Sequence, residues 1–96
     1  MIRRTQRARA DLKSIHDFIA KDSLPNAKTV VREILRRADT LEMAPHMGRV
    51  VPELRKPELR EISAYSWRII YLPRDGELFI VSVIHHPHDA RLHASR

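Results

Sequence analysis

From Gln6 to about Asp22, apolar side chains recur at Ala8, Leu12, Ile15, Phe18 and Ile19, the i, i+3, i+4, i+7 spacing of a helix that buries one stripe. Ser23-Leu24-Pro25-Asn26 interrupts it; Ser23 or Leu24 then precedes Pro25, which is well placed as the first residue of a second helix. That helix collects Ala27, Val30, Val31, Ile34, Leu35, Ala38 and Leu41 on one face, sets Arg32, Arg36, Arg37 and Asp39 elsewhere, and stops before Pro45. So short a connection predicts an antiparallel helix hairpin over about 6–43. Before it, Ile2–Arg4 reads as a short edge strand, with Thr5 as N-cap of the first helix.

Past Met47-Gly48-Arg49, a turn, the period changes. Val50–Leu54 is a short strand that Pro52 confines to an edge or ends. Leu59–Tyr65, Trp67–Leu72 and Leu78–Ile84 read as further strands, the last two dense in β-branched and aromatic residues. Arg74-Asp75-Gly76-Glu77 joins them, and an Asp-Gly pair supplies the two positive φ angles of a type I′ hairpin turn. A regular ladder from that turn sets Leu72 opposite Phe79, Tyr71 opposite Ile80, Ile70 opposite Val81, Ile69 opposite Ser82 and Arg68 opposite Val83. It also places Arg68 and His85 on one face near the open end. The layout is α+β, one domain over 1–96: a two-helix hairpin on one face of a twisted, mainly antiparallel sheet of three or four strands, over about 49–86. A polar, loose tail follows over 90–96.

Helices on one side cannot cover both apolar faces of such a sheet. Either Ile70, Leu72, Phe79 and Val81 or Ile69, Tyr71, Ile80 and Ile84 face away from them, and a partner chain is the natural cover. A second copy, or a sheet curled over its own face, would serve the same end. Charge narrows the partner. The chain has 96 residues and a formal net charge of +6, with its arginines spread along it, which implies a cationic folded face and an acidic partner. There is no cysteine, which fits a reducing cytoplasm, and no apolar run long enough to span a membrane.

The candidate chemistry is sparse. His85-His86-x-His88-Asp89 offers imidazoles and a carboxylate, but neighbours on a strand point to opposite faces and Pro87 bends the chain, so no metal site is expected. Arg60, Arg68 and His85, near the ends of adjacent strands, compose a phosphate-binding patch with an imidazole, suited to RNA cleavage by proton transfer and charge stabilisation. Against that, Arg68 can pair across strands with Glu61 or Glu58. Trp67, Tyr65 and Tyr71 read as core and rim more than as a base-stacking platform. No P-loop, dinucleotide-binding glycine pattern or nucleophile elbow occurs, and no cofactor is called for.

The ordered set Ala8-x-x-Asp11-Leu12-x-x-Ile15, Pro45-His46-Met47-Gly48-Arg49-x-Val51-Pro52-Glu53-Leu54, Leu59-Arg60-Glu61, Trp67-Arg68-Ile69-Ile70-Tyr71 and Val83-Ile84-His85-x-x-His88-Asp89 resembles the ParE branch of the RelE/ParE toxin superfamily. That resemblance implies the toxin of a type II toxin–antitoxin, or plasmid stabilisation, module. The expected activity is inhibition of DNA gyrase by binding, without enzymatic chemistry. It implies a cytoplasmic cognate antitoxin with an acidic C-terminal segment and a ribbon-helix-helix DNA-binding N-terminus, forming a hetero-oligomer with the toxin. Target-binding candidates are Arg49, Arg60, Arg68, His85 and His88. Antitoxin-binding candidates are Ile70, Leu72, Phe79, Val81, Arg32 and Arg36. Alternatives within the superfamily are a ribosome-dependent mRNA endonuclease using Arg60, Arg68 and His85 without metal, or a non-toxic co-repressor that binds antitoxin. The chain departs from the pattern twice: His88 stands where ParE-like members usually carry Arg, and no Tyr follows Tyr71 as ribonuclease members have.

Overall fold

A computed structural model describes residues 1–85. Strand β1 (Ile2–Arg4) leads into helices α1 (Gln6–Ala20) and α2 (Leu24–Asp39), a 3-10 turn at Thr40–Glu42, and strands β2 (Arg49–Val50), β3 (Arg60–Ala64), β4 (Trp67–Arg74) and β5 (Glu77–His85). They form one five-stranded sheet in the order β1-β5-β4-β3-β2. All neighbours are antiparallel except β1, which runs parallel to β5. The sheet thus has one strand more than the three or four core strands expected, because the N-terminal edge strand pairs in full.

The helix ends follow their caps. Thr5 Oγ1 accepts from the Ala8 amide at 3.1 Å, and Ser23 Oγ accepts from the Asn26 amide at 3.2 Å. α2 carries Arg36 and Arg37 in its last turn, where cations suit the negative end of the helix dipole. Ala8, Leu12 and Ile15 of α1 and Ile34 and Ala38 of α2 are buried, with Leu41 from the 3-10 turn, against Ala64, Ile69, Tyr71, Leu78, Ile80 and Val83 of the sheet. Phe18 is the exception. It follows the stripe's spacing but lies at its flank, 66% exposed, with the Lys21 ammonium 5.9 Å from its ring centre.

The β4–β5 hairpin closes on Asp75 and Gly76, with φ of 53° and 77°, as a type I′ turn requires. From the turn, Leu72 pairs with Phe79 and Tyr71 with Ile80, as the regular ladder predicts. Then the register shifts. Ile70 pairs with Ser82, Ile69 with Val83, Arg68 with Ile84 and Trp67 with His85, leaving Val81 as a bulge. The expected pairings of Ile70 with Val81, Ile69 with Ser82 and Arg68 with Val83 are each displaced by one residue. The cause lies across the sheet edge, where β1 ends. Thr5 Oγ1 donates to the Val81 carbonyl at 2.9 Å, and the Asp11 carboxylate accepts from the Val83 amide and the Ser82 hydroxyl, both at 2.9 Å. A cap and a helical aspartate so take over the edge of β5 that no strand covers.

The bulge also moves Ile84 to the face that carries Arg68, and puts His85 opposite Trp67 on the helix-covered face. Arg68 and His85 therefore do not share a face, contrary to the expectation from a regular ladder. On the helix-free side the sheet is less bare than anticipated. Ile70 is 5% exposed, and Leu72, Phe79, Val81 and Ile84 are half-buried. The expectations for His86, His88, Asp89 and the tail over 90–96 fall outside the described residues.

Candidate functional site

Three structural features organise the surface: a pin, a charge chain and a groove. The pin is Tyr71, wholly buried, whose hydroxyl accepts from the Gly48 amide at 2.8 Å. Burial pushes its phenol above the ordinary value, partly offset by that amide and by the nearby Arg60 cation. Arg60 sits opposite Tyr71 and donates through Nη1 to the carbonyls of Gly48 at 2.7 Å and His46 at 3.4 Å. The turn before β2 is thereby tied to the sheet by one phenol and one guanidinium.

The charge chain crosses the helix-free face. Arg49, Glu61, Arg68 and Glu53 alternate in sign. Arg49 Nε meets Glu61 Oε2 at 2.7 Å, Arg68 Nε meets Glu61 Oε1 at 2.7 Å, and Arg68 forks onto both oxygens of Glu53 at 2.6 and 3.0 Å. The Glu61 and Arg68 side chains are buried, whereas those of Arg49 and Glu53 are 68% and 56% exposed. Glu53 raises the Arg68 guanidinium above its ordinary value, with a further contribution from Glu61. Pairing with Glu61 is the cross-strand alternative that the sequence allowed; the second partner is Glu53 of the β2–β3 loop, not Glu58.

Acid should release the outer end of this chain. Hydrogen bonds from Arg68 hold the Glu53 carboxyl down to about 2, from an ordinary 4.5. A carboxyl depressed in the folded state adds stability that is present above its unfolded pKa and is lost as pH falls through its folded one. The contribution of Glu53 is thus complete above pH 4.5 and lost towards pH 2. Glu33, held down to about 2 by Arg36 and Arg37, adds a parallel loss. Urea midpoints measured from pH 5 to 2 should fall less steeply in Glu53→Gln than in the parent chain. Parallel curves would mean that the Glu53 pair contributes nothing in solution, the outcome expected if solvent screens it fully.

The groove runs along the outer face of α2 and holds about 490 Å³. Half-buried Val31 and Leu35 form its floor, Lys28, Arg32 and Arg36 supply cations along it, and Asp39 and, from α1, His16 complete the lining. Arg36 is already forked onto Glu33 at 2.8 Å through both Nε and Nη2. Arg32 is exposed. A separate cleft of about 440 Å³ lies between the 3-10 turn and the tip of the β4–β5 hairpin, with Leu41 and Leu78 in its floor.

The candidate catalytic set does not converge. Arg60 stands on the Tyr71 row of the helix-covered face, and His85 on the Trp67 row of that face, where it meets the indole edge-on at 5.1 Å. Four residues along β4 separate those rows, about 13 Å at strand spacing. Arg68 lies on the opposite face, held by two carboxylates. Proton transfer across one phosphate needs such groups within hydrogen-bond reach of it, and these three are not. Among the described residues no group of three or more His, Asp or Glu side chains could hold a metal ion. No helix there is long and apolar enough to cross a membrane.

The architecture is a helix hairpin on an open sheet, with a groove along α2 and a charge chain on the helix-free face. The family model described as "ParE toxin of type II toxin-antitoxin system, parDE" matches residues 2–90, and the chain belongs to that family. Its fold matches a chain from the chromosomal ParDE TA system from P. aeruginosa, with a TM-score of 0.75 at 19% identity, over 88% of this chain and 94% of that one. No curated protein matches the sequence.

Proposed function

We propose that this chain acts in the cytoplasm as the toxin of a two-component module, binding DNA gyrase so that cleaved DNA persists, and that a cognate antitoxin neutralises it. It works by binding and performs no covalent chemistry of its own. The family supports the module, and the separation of Arg60, Arg68 and His85 supports binding over nucleolysis. Purified toxin should inhibit supercoiling and raise cleaved-complex levels of gyrase, and antitoxin should reverse both. No effect at micromolar concentration would overturn the gyrase reading. Cleaved mRNA on translating ribosomes would restore the nuclease alternative, and harmless expression without antitoxin would point to a co-repressor.

The antitoxin's acidic segment finds its best complement in the α2 groove, where an apolar floor is framed by Lys28, Arg32 and Arg36. An amphipathic helix with carboxylates flanking an apolar stripe matches that lining. Arg32→Glu together with Arg36→Glu should weaken antitoxin binding by about a hundredfold or more, since each reversal sets like charges against each other at the interface. Arg32 should account for the larger share, because Glu33 already neutralises much of Arg36. Association should also slow as salt rises. An on-rate indifferent to both changes, by surface plasmon resonance, would remove the groove from the interface.

A further inference from the structure

The outer end of the charge chain is held unlike the rest. Glu53 is not on a strand; it belongs to residues 51–59, which connect β2 to β3. Val51 is buried, but residues 52–58 are exposed. The backbone bonds of this strap run within it: Val51 N to Leu59 O and Leu54 N to Val51 O at 3.3 Å, Leu59 N to Lys56 O at 3.0 Å. A tie from its middle to the sheet is the forked carboxylate of Glu53 on the buried guanidinium of Arg68.

We propose that Arg68 is a receptor for a carboxylate from an acidic segment of a partner protein, and that the strap occupies it in the free chain with a built-in substitute, Glu53. The guanidinium gives Nε to Glu61, shares Nη2 between Glu61 and Glu53, and turns its Nη1–Nη2 edge toward the Glu53 carboxylate, the geometry that a carboxylate meets with two parallel bonds. Charge selects the ligand. Two arginines balance two glutamates in the chain, so a carboxylate in place of Glu53 keeps the balance, while a phosphate would add negative charge beside buried Glu61. The resident also shows what flanks the acid: Val51 and Pro52 before it and Leu54 after it, an acidic residue at the centre of a turn closed by Leu54 N on Val51 O, among apolar neighbours. A segment of that kind, once seated, gains access to Ile70. That residue lies two positions along β4 from Arg68 on the same face, beside Glu61, and the free chain buries it.

The tether gives Glu53 an effective concentration in the millimolar range, which any incoming carboxylate must exceed. Weak free ligands are therefore excluded, and a partner that adds contacts elsewhere, as in the α2 groove, is admitted. That this partner is the antitoxin rests on the function proposed above; the receptor itself does not.

The test uses neither gyrase nor antitoxin, so its failure is separate from failure of that reading. The Arg68 Nε–H resonance would be followed by NMR in the full chain and in Glu53→Gln during titration with the peptide acetyl-Val-Pro-Glu-Leu-amide. The peptide's glutamine analogue and inorganic phosphate serve as comparisons. Glu53→Gln should bind the acidic peptide at least about tenfold more tightly than the parent chain. The glutamine analogue should leave the resonance unmoved, and phosphate should bind more weakly than the peptide. Equal affinity in the two proteins, or no shift of the Arg68 resonance, would overturn the proposal. Tighter binding of phosphate would overturn it in favour of a nucleic-acid backbone. Glu53→Asp, which keeps the charge but shortens the reach, should show a gain between the two. It supplies the same comparison if Glu53→Gln does not fold.

Discussion

Arg68→Met should lower the stability of the chain by about 3 kcal/mol, the low end of what removing one partner of a buried ion pair costs. The mechanism is the carboxylate left behind. Glu61 has a side chain only 4% exposed, and without Arg68 it keeps a single cation, Arg49, whose own side chain is 68% exposed. That remaining partner is why the loss falls at the low end. A domain of this size has only about 5–14 kcal/mol in hand, so the loss should be plain as a lower urea midpoint at nearly unchanged slope. Adding Glu61→Leu to Arg68→Met should recover more than half of it, because the buried charge then disappears with its partner. A single variant within 1 kcal/mol of the parent, or a double variant no better than the single, would show that the chain of charges does not hold this face.

The two halves of the fold were unequally legible. The start of α1 could be read from Thr5, that of α2 to within one residue of Pro25, which is its second residue behind the Ser23 cap, and the hairpin from Asp75-Gly76, because caps and turns depend on a few adjacent residues. The phase of β5 could not. Leu78–Ile84 is apolar at both parities apart from Ser82, so alternation says nothing about which side is buried, and the bulge at Val81 is set by Thr5 and Asp11 from far along the chain. One unread bulge was enough to assemble a false patch, since it carried His85 to the face opposite Arg68. Phe18 shows a different limit, for spacing identifies a stripe but not its width.

The site divides along the same line. A pairing of Arg68 with Glu61 was legible because the two lie on neighbouring strands. Glu53 was not, since loop residues carry no periodicity and only the folded sheet brings it to Arg68. Arg60 reads from sequence as a free cation, yet its guanidinium serves the carbonyls of Gly48 and His46. Thus the arginines of the sheet, singled out as a target-binding patch, stabilise the structure first. On α2, Arg32 is exposed, and the proposed complement to an acidic partner rests chiefly on it.

Gly48→Ala should be the most disruptive change of a single methyl group in the chain, at about 3 kcal/mol or more. Conformation is not the reason, for Gly76 is the glycine with positive φ among the described residues. Space is. A Cβ on Gly48 would stand 2.5 Å from the Glu61 carbonyl oxygen, 2.6 Å from the Tyr71 hydroxyl and 2.8 Å from its ring carbon Cε1. The first is strand backbone and the others belong to a wholly buried ring, so none yields cheaply. Overpacking of this kind costs about 1–3 kcal/mol. Backing away would in addition break the Gly48 amide bond to Tyr71 and strain the Arg60 bond to the Gly48 carbonyl, a further ~1–3 kcal/mol for buried groups left unpaired. Tyr71→Phe separates the two terms: it keeps the packing and leaves the Gly48 amide without its acceptor, for about 1–2 kcal/mol. In Gly48→Ala with Tyr71→Phe one of the three close contacts is gone, and the double variant should be less destabilised than the sum of the singles by about 1 kcal/mol. Strict additivity in urea unfolding would mean that the methyl group and the phenol do not meet, and a Gly48→Ala protein as stable as its parent would undo the pin altogether.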